Sequence, residues 1–287
     1  MPIQSLTECA IKNRGWNMST TQWSQNERWF FLVAIPLILA LVYLIPGNIK
    51  DAYFILNKNN ISILGMFLSN YTHTEFWHFA ANVSAYLIAM YLILKFETNK
   101  SNFYKTMGFL FLILPLIVSA ITAIYVPAPS SQGFSGVVAG LFGYFMYVTY
   151  RHVKDTWKLN ADINFIYLFL CINTLIGVAS YWLTNNPTFA AVLFALAIGL
   201  LYYNCHLLKS IIILLKNKAK ELKTQHRLLI LDCFTFMLSL LVLFFSFPSL
   251  IEVTIQNGSV TNAIGHYAGY VAGIGFPLIF IETKIWK

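Results

Sequence analysis

Two residues in apolar parts of the sequence have side chains that could together carry out acyl transfer. Ser135 begins a long apolar run, and His266 lies near the start of the last such run. A serine hydroxyl becomes a nucleophile when a base takes its proton, and a histidine, with an ordinary pKa of about 6.5, can take it near neutral pH. We therefore predict that Ser135 is a nucleophile and His266 its general base. Asp232 and Glu252 are not placed to orient the imidazole, so the prediction is a dyad and not a triad.

Two further polar residues could stabilise the charge that develops during such a reaction. His78 and Asn82 are four residues apart and therefore share one face of a helix. A tetrahedral intermediate needs N–H donors that are already aimed at its oxygen. We predict an oxyanion hole made of the side chains of His78 and Asn82 and the backbone N–H of Ser135, which is unpaired at a helix N-terminus.

Glycines flank both predicted catalytic residues. Gly136 and Gly140 form a G-x-x-x-G on the serine helix, and Gly269 and Gly273 form another on the histidine helix. This spacing lets two helix backbones approach closely, as a serine requires to reach a histidine on a separate helix. Each of these features alone is commonly a helix cap or a packing motif. Their occurrence together favours a catalytic site.

The elements that must hold these residues are membrane-spanning helices. Of the 287 residues, 58% are hydrophobic and 10% are charged, and the mean hydropathy is +0.65, which is far from the composition of soluble proteins. Apolar runs long enough for a hydrocarbon core of about 30 Å predict an all-α polytopic membrane protein. The eight predicted spans are 29–46, 76–94, 107–126, 135–150, 163–183, 189–208, 228–247 and 263–281.

The distribution of lysine and arginine predicts that both termini are cytoplasmic. Cytoplasmic loops carry an excess of these residues, and this orientation places all 19 of them on one side except Lys50 and Lys58, in the segment 47–75. The four polar residues then lie near the outer ends of their spans, at a similar depth. The chain divides into a cytoplasmic N-terminal segment, 1–28, and a transmembrane domain, 29–287.

The basic residues also indicate the partners. Six of them lie in a predicted cytoplasmic loop, 209–227, and the net charge of +8 is therefore mostly a consequence of topology, with anionic lipid headgroups as partner. Nucleic acid is not expected, because the aromatic residues lie in the spans or at their ends and do not alternate with basic ones. The four cysteines have no paired spacing, so we expect no disulfide framework, no metal and no cofactor.

The motifs resemble those of the rhomboid intramembrane serine proteases. The stretch from His73 through His78 to Asn82 is similar to the family's H-x-x-x-x-H-x-x-x-N, the stretch Gly133-Phe134-Ser135-Gly136 to its G-x-S-G, and the stretch from Gly265 to Gly269, with Gly273, to its histidine helix. The resemblance covers roughly residues 60–150 and 262–281. It implies a core of six helices, the same catalytic and oxyanion-hole roles, and a membrane-lying first loop at 47–75.

The chain departs from the family pattern between its serine and histidine helices. The family has one span there, whereas three are predicted here, so two of the eight spans are additional and the sequence does not say which. An even number of extra crossings keeps both catalytic helices entering from the same side.

Two local departures concern the support of the site. An aromatic residue often packs under the family's histidine four positions after the serine. Ala139 occupies that position, so Tyr267 or Tyr144 is predicted to support the imidazole. The arginine pattern of the family's first loop is absent, and Glu97 only loosely matches an acidic residue after the second span. His73 is expected to be a solvated loop histidine.

We therefore predict a serine endopeptidase that cleaves transmembrane or membrane-anchored proteins near the outer face of a bacterial or archaeal plasma membrane. The alternative is a rhomboid-like protein without protease activity that binds transmembrane clients for quality control or trafficking. The presence of both Ser135 and His266 argues against that alternative. A transporter would show ionisable residues near mid-membrane or broken helices in matched halves. The prolines within spans, Pro36, Pro115 and Pro277, are instead expected to mark kinks.

Overall fold

The structure is a computed structural model that describes residues 23–126, 130–185, 187–221, 255–256, 259–260 and 262–283. These residues are mostly helical. In chain order the helices are α1 Gln25–Tyr43, α2 Gly47–Tyr53, α3 Ile63–Leu68, α4 Phe76–Phe96, α5 Lys100–Tyr125, α6 Ser135–Arg151, α7 Ile163–Asn185, α8 Pro187–Tyr203, α9 Cys205–Glu221 and α10 Ala263–Glu282. Four two-residue strands complete them: β1 Leu56–Asn57, β2 Ser130–Ser131, β3 Ile255–Gln256 and β4 Ser259–Val260.

Four of these helices are long and apolar enough to cross a membrane, namely α1, α4, α5 and α10. A fifth crossing results if α8 and the first part of α9, which are bent by 56° at their junction, count as one. The protein is thus an all-α integral membrane protein. The predicted span 228–247 lies outside the described residues, and the total of eight spans stays a prediction.

The chain bends between α8 and α9, inside the predicted span 189–208. A cytoplasmic basic loop was predicted to follow at 209–227, and that location stays a prediction. In the structure α8 ends at Tyr203, Asn204 forms a turn, and α9 continues the chain as a helix from Cys205 to Glu221. The rest of the predicted loop lies outside the described residues.

The prolines in the spans coincide with irregular helical turns. Wider, π-helical turns occupy Phe30–Ala34 in α1 and Phe109–Ile113 in α5, two residues before Pro36 and Pro115 respectively. Pro277 begins a third such turn in α10. Proline has no backbone N–H, and its ring collides with the carbonyl four residues earlier, so a regular turn cannot be kept there.

Helix α6 forms the centre of the bundle. Every residue from Ser135 to Tyr150 is buried, as expected for a helix that is apolar on all sides. It packs mainly against α10 and α4, and also contacts α5 and α7. Ser135 therefore lies at the end of an enclosed helix. We call the end of the bundle that contains Ser135 and His266 the serine end.

Helices α6 and α10 meet backbone to backbone at their glycines. A Cβ on Gly269 would collide with the carbonyl oxygen of Gly136, and one on Gly273 with that of Gly140. Gly143, which the sequence reasoning did not single out, has the same relation to the carbonyl of Tyr270. This contact allows side chains at the starts of the two helices to touch.

The segment 47–75, predicted as a first loop, has structure of its own at the serine end. It contains α2, β1 and α3, followed by the 3-10 turn Ser69–Tyr71. Strand β1 pairs antiparallel with β2, so that Leu56 faces Ser131 and Asn57 faces Ser130. The pairing connects the first loop to the chain that leads into Ser135.

Candidate active site

Ser135 and His266 form a hydrogen-bonded pair at the junction of α6 and α10. The Oγ atom of Ser135 lies 2.6 Å from Nε2 of His266. Both residues are buried, with 8% and 6% of their surface exposed. A hydroxyl that donates to Nε2 places the ring proton on Nδ1, which leaves Nε2 free to take a second proton. This is the geometry of a serine beside its general base.

The start of the histidine helix is fixed by Asn262. Its Oδ1 accepts the Gly265 N–H at 2.8 Å, which is a helix N-cap, and its Nδ2 donates to Thr122 Oγ1 of α5 at 2.6 Å. One side chain thus both begins α10 and anchors it to a neighbouring helix. Sequence reasoning missed Asn262, although an asparagine directly before an apolar run is an N-cap signal.

The chain before Ser135 is held by several contacts to the first loop. The Gly133 N–H donates to the carbonyl of Ser69 at 2.8 Å, and Gln132 Nε2 donates to Thr74 Oγ1 at 2.8 Å. Gly133 has a φ of +134°, a value that disfavours any residue with a side chain. The serine segment, residues 130–135, therefore owes its shape to the first loop.

His73 contributes the most buried of these contacts. Its Nε2 accepts the backbone N–H of Phe134 at 3.2 Å, and the side-chain amide of Asn82 faces the same nitrogen at 3.2 Å. Two donors at Nε2 require it to be unprotonated, so the ring is neutral. Only 2% of His73 is exposed, and the expectation of a solvated histidine is wrong. Burial first, then the charges of His78 and Lys50, lower the pKa of His73 to about 3.

His78 and Asn82 lie beside the serine segment in different ways. A methyl group built on Gly133 would lie 3.4 Å from Cε1 of His78 and 3.7 Å from Oγ of Ser135, so the imidazole and the hydroxyl flank one point. His78 is exposed. Asn82 is buried, and its amide nitrogen donates to the carbonyl of His78 at 2.9 Å as well as facing His73. His78 adjoins the serine segment, whereas Asn82 is connected to it through His73, and the role of both as donors to an oxyanion stays a prediction.

The hydroxyls of the two tyrosines predicted to support His266 bond to other residues, and of the two predictions the structure contradicts the one for Tyr144. The hydroxyl of Tyr144 donates to Glu97 at 2.6 Å, and Tyr144 lies about 13 Å along α6 from Ser135 at about 1.5 Å per residue. The prediction for Tyr144 is therefore wrong. The hydroxyl of Tyr267 lies 3.3 Å from Thr174 Oγ1 and connects α10 to α7.

A polar cleft adjoins Ser135 and His266. Its lining brings together the first loop, α5 and the start of α10, which the sequence did not predict to converge. Besides Ser135 and His266, its polar lining residues are Ser69, Asn70, Ser119, Thr122, Ser131, Gln132 and Asn262. Two of them are bonded to each other, since Asn70 Nδ2 donates to Ser119 Oγ at 2.8 Å, and Ser119 Oγ in turn donates to the Met66 carbonyl at 2.6 Å.

The part of the chain that the structure describes contains no group of three or more histidine, cysteine or carboxylate side chains that could hold a metal ion.

Comparison with known proteins gives one match. A family model described as Rhomboid domain matches residues 60–209, which is more than half of the chain. No match was found among curated proteins or among solved structures. The matched range includes His78, Asn82 and Ser135, whereas His266 lies beyond its end. The contact between His266 and Ser135 is thus an observation of the structure that is independent of the match.

Proposed function

The chain belongs to the rhomboid family, as its motifs predicted, and on this basis we propose that it is an intramembrane serine endopeptidase. Rhomboid proteins are typically such proteases, but the family also includes inactive members, so membership alone does not decide activity. The observation that carries the proposal is the 2.6 Å contact between Ser135 Oγ and His266 Nε2.

The geometry supports a two-step acyl transfer. In the first step His266 Nε2 takes the proton of Ser135 as Oγ attacks a peptide carbonyl, and it then gives that proton to the leaving amine. In the second step a water molecule loses a proton to Nε2 and attacks the acyl-enzyme, and the proton returns to Oγ. The polar cleft beside Ser135 is the route by which this water would enter.

The negative charge of each tetrahedral intermediate would be stabilised at the N-terminus of α6. Ser135 is the first residue of that helix, so its N–H has no partner within the helix, and the helix dipole favours an anion there. We assign the side chain of His78 to the same oxyanion hole. Asn82, whose amide hydrogens bond to the His78 carbonyl and to His73 Nε2, would join it by giving up one of these two bonds.

The site lies among the helices of a membrane protein, so its substrates should be proteins that are also held in the membrane. We propose transmembrane or membrane-anchored proteins, cut near the end of their membrane segment where the helix frays, since a packed helix hides its carbonyls from attack. We place the serine end at the outer face of the membrane, in keeping with the predicted charge bias, and propose a bacterial or archaeal plasma membrane.

The proposal is tested by covalent labelling of the detergent-solubilised protein with a fluorophosphonate probe. We expect the wild type to be labelled, and Ser135→Ala and His266→Ala to lose the labelling. Ser84→Ala, which changes an exposed serine of α4, is the matched control and should label like the wild type. Cleavage of a reporter with a single transmembrane segment, reconstituted with the protein in liposomes, is the second readout.

Two results would contradict the proposal. Labelling that persists in Ser135→Ala would place the reactive group elsewhere. A folded wild type that neither labels nor cleaves any reporter would favour the client-binding alternative, which co-purification of intact reporters would then test.

A further inference from the structure

Lys50 is a buried lysine, which is unusual for this residue type unless it is paired. Only 6% of Lys50 is exposed. Its ammonium donates to the carbonyl of Tyr43 at 2.5 Å and to the carbonyl of His73 at 3.1 Å, and it lies 4.8 Å from the centre of the Tyr43 ring. Carbonyl oxygens and an aromatic face, and not a carboxylate, are thus its partners among the described residues.

The first contact explains why a lysine is tolerated here. Tyr43 is the last residue of α1, and carbonyls at the carboxyl end of a helix lack helical partners and carry partial negative charge. Lys58 makes the same kind of contact, since it donates to the carbonyl of Val126, directly after α5. The two lysines that break the predicted charge bias therefore both bind a carbonyl at the end of a membrane-crossing helix.

The second contact of Lys50 connects it, through His73, to the residue before Ser135. His73, whose carbonyl Lys50 binds, accepts the N–H of Phe134, the residue before Ser135. Lys58 has no contact of this kind with His73 or Phe134. The two lysines therefore make the same kind of hydrogen bond to a helix end, but of the two it is Lys50 that is connected through His73 to Phe134.

Aromatic contacts connect Tyr43 to His73 by a second route, through Phe79. The Tyr43 ring stacks on Phe79, with centroids 4.7 Å apart and an interplanar angle of 17°, and Phe79 contacts the His73 ring at 5.6 Å. Lys50 connects the first and last of these three aromatic residues, because it binds the carbonyls of both Tyr43 and His73. The position of His73 is thus fixed relative to the end of α1.

We propose that Lys50 is a positioning residue for Ser135: its ammonium holds the His73 segment against the end of α1, and the His73 imidazole in turn holds the Phe134 N–H and the start of α6. The catalytic consequence rests on the proposed function, whereas the positioning does not. The proximity of the ammonium also disfavours a second positive charge on His73, which keeps Nε2 available as an acceptor.

The test compares Lys50→Met, Lys50→Arg and Lys58→Met in the full-length protein in detergent. Hydrogen–deuterium exchange, resolved to the peptide that contains Phe134, reports the positioning without any need for activity. The rate of fluorophosphonate labelling of Ser135 reports the catalytic consequence. Thermal unfolding of each variant reports stability separately.

We expect Lys50→Met to raise exchange at Phe134 and to lower the labelling rate, each by about tenfold, which corresponds to loss of a hydrogen bond to a charged group. Lys50→Arg, which keeps the charge and the donors, should restore most of both. Lys58→Met should lower the unfolding temperature while leaving exchange at Phe134 and the labelling rate close to the wild type.

Unchanged exchange at Phe134 in Lys50→Met would overturn the inference, and so would an equal increase in Lys58→Met. If Lys50→Met does not fold, Lys50→Gln, which keeps a donor without the charge, replaces it and should show a smaller increase of the same kind. A wild type that does not label would count against the proposed function alone, because the exchange measurement still decides the role of Lys50.

Discussion

Tyr144 and Glu97 join the middle helix of the bundle to the end of α4, far from Ser135 and His266. The Tyr144 hydroxyl donates to the Glu97 carboxylate at 2.6 Å, and both residues are buried. The Asn99 N–H donates to the same carboxylate at 2.7 Å. A buried carboxylate is costly unless its oxygens are hydrogen-bonded, so this pair should matter for stability.

We predict that Tyr144→Phe lowers the free energy of unfolding by about 1–3 kcal/mol, because it leaves a buried carboxylate oxygen without its donor. Denaturant unfolding in detergent measures the effect. Tyr91→Phe, at a tyrosine of α4 with 54% of its surface exposed, is the control and should change stability by less than about 0.5 kcal/mol. A double variant with Glu97→Gln should lose less than the sum of the two single losses.

Glu97 should also make stability depend on pH. Burial, opposed by the Tyr144 hydrogen bond, raises the pKa of its carboxyl above the ordinary 4.5. The folded state therefore binds this proton more tightly than the unfolded state, and the stability that results is present below pH 4.5 and is lost as pH rises through the raised pKa. Unfolding temperatures measured at increasing pH should fall more steeply for the wild type than for Glu97→Gln. Parallel curves would show that Glu97 is not responsible.

The glycine contacts predict that two neighbouring glycines of α10 tolerate alanine very differently. A Cβ on Gly273 would collide with the carbonyl oxygen of Gly140, whereas one on Gly275 would have nothing within 4 Å. Gly273→Ala should lower stability by about 1–3 kcal/mol through overpacking and reduce labelling of Ser135, since the helices must separate. Gly275→Ala should be neutral or stabilising by up to about 1 kcal/mol. Equal behaviour of the two variants in unfolding and labelling assays would contradict the packing described here.

Asn262 has two separable functions at the start of α10. Asn262→Ala removes both the cap and the bond to Thr122, and should lower stability by about 1 kcal/mol and slow labelling of Ser135. Thr122→Val removes only the bond between helices and should show less of the stability loss. If Thr122→Val reproduced the whole effect, the cap would contribute nothing. Thermal unfolding and labelling rates, measured on the same samples, distinguish the cases.

His78 should act on the rate and not on substrate binding. If its side chain donates to the oxyanion, His78→Ala should lower kcat by about 10²–10³-fold with little change in KM. Trp77→Phe, next to it and with 74% of its surface exposed, is the control. Cleavage kinetics of the transmembrane reporter give both constants. A change confined to KM would assign His78 to substrate binding.

The sequence predicted those parts of the site that depend on residue type and spacing. The contact between Ser135 and His266 and the close packing at the glycines could be anticipated, because such a pair and such a helix contact each require particular residue types. The roles of Ser135 as nucleophile and His266 as base stay predictions. Most helix positions followed from the length of the apolar runs, and α9 is an exception, because its lysines gave it the appearance of a loop. The pairing of β1 with β2 could not be predicted, since each strand has only two residues.

Contacts between residues distant in the chain were missed for a physical reason. The burial of His73 and Lys50 depends on which segments fold over the serine end, and residue type favoured a solvated position for both. The sequence itself argues against a role for Tyr144 in supporting His266. Tyr144 is nine positions after Ser135, and at about 3.6 residues per turn this spacing places the two side chains on opposite faces of α6.

The glycine contacts between α6 and α10 also determine the register of the two helices. The carbonyl of Gly136 lies against Gly269 and that of Gly140 against Gly273, so a side chain at either position of α10 would push the facing main chain away. A slip by a single residue, about 1.5 Å, would bring side chains into the gaps that the glycines leave. The alignment of Ser135 with His266 is thus specified by positions that lack a side chain.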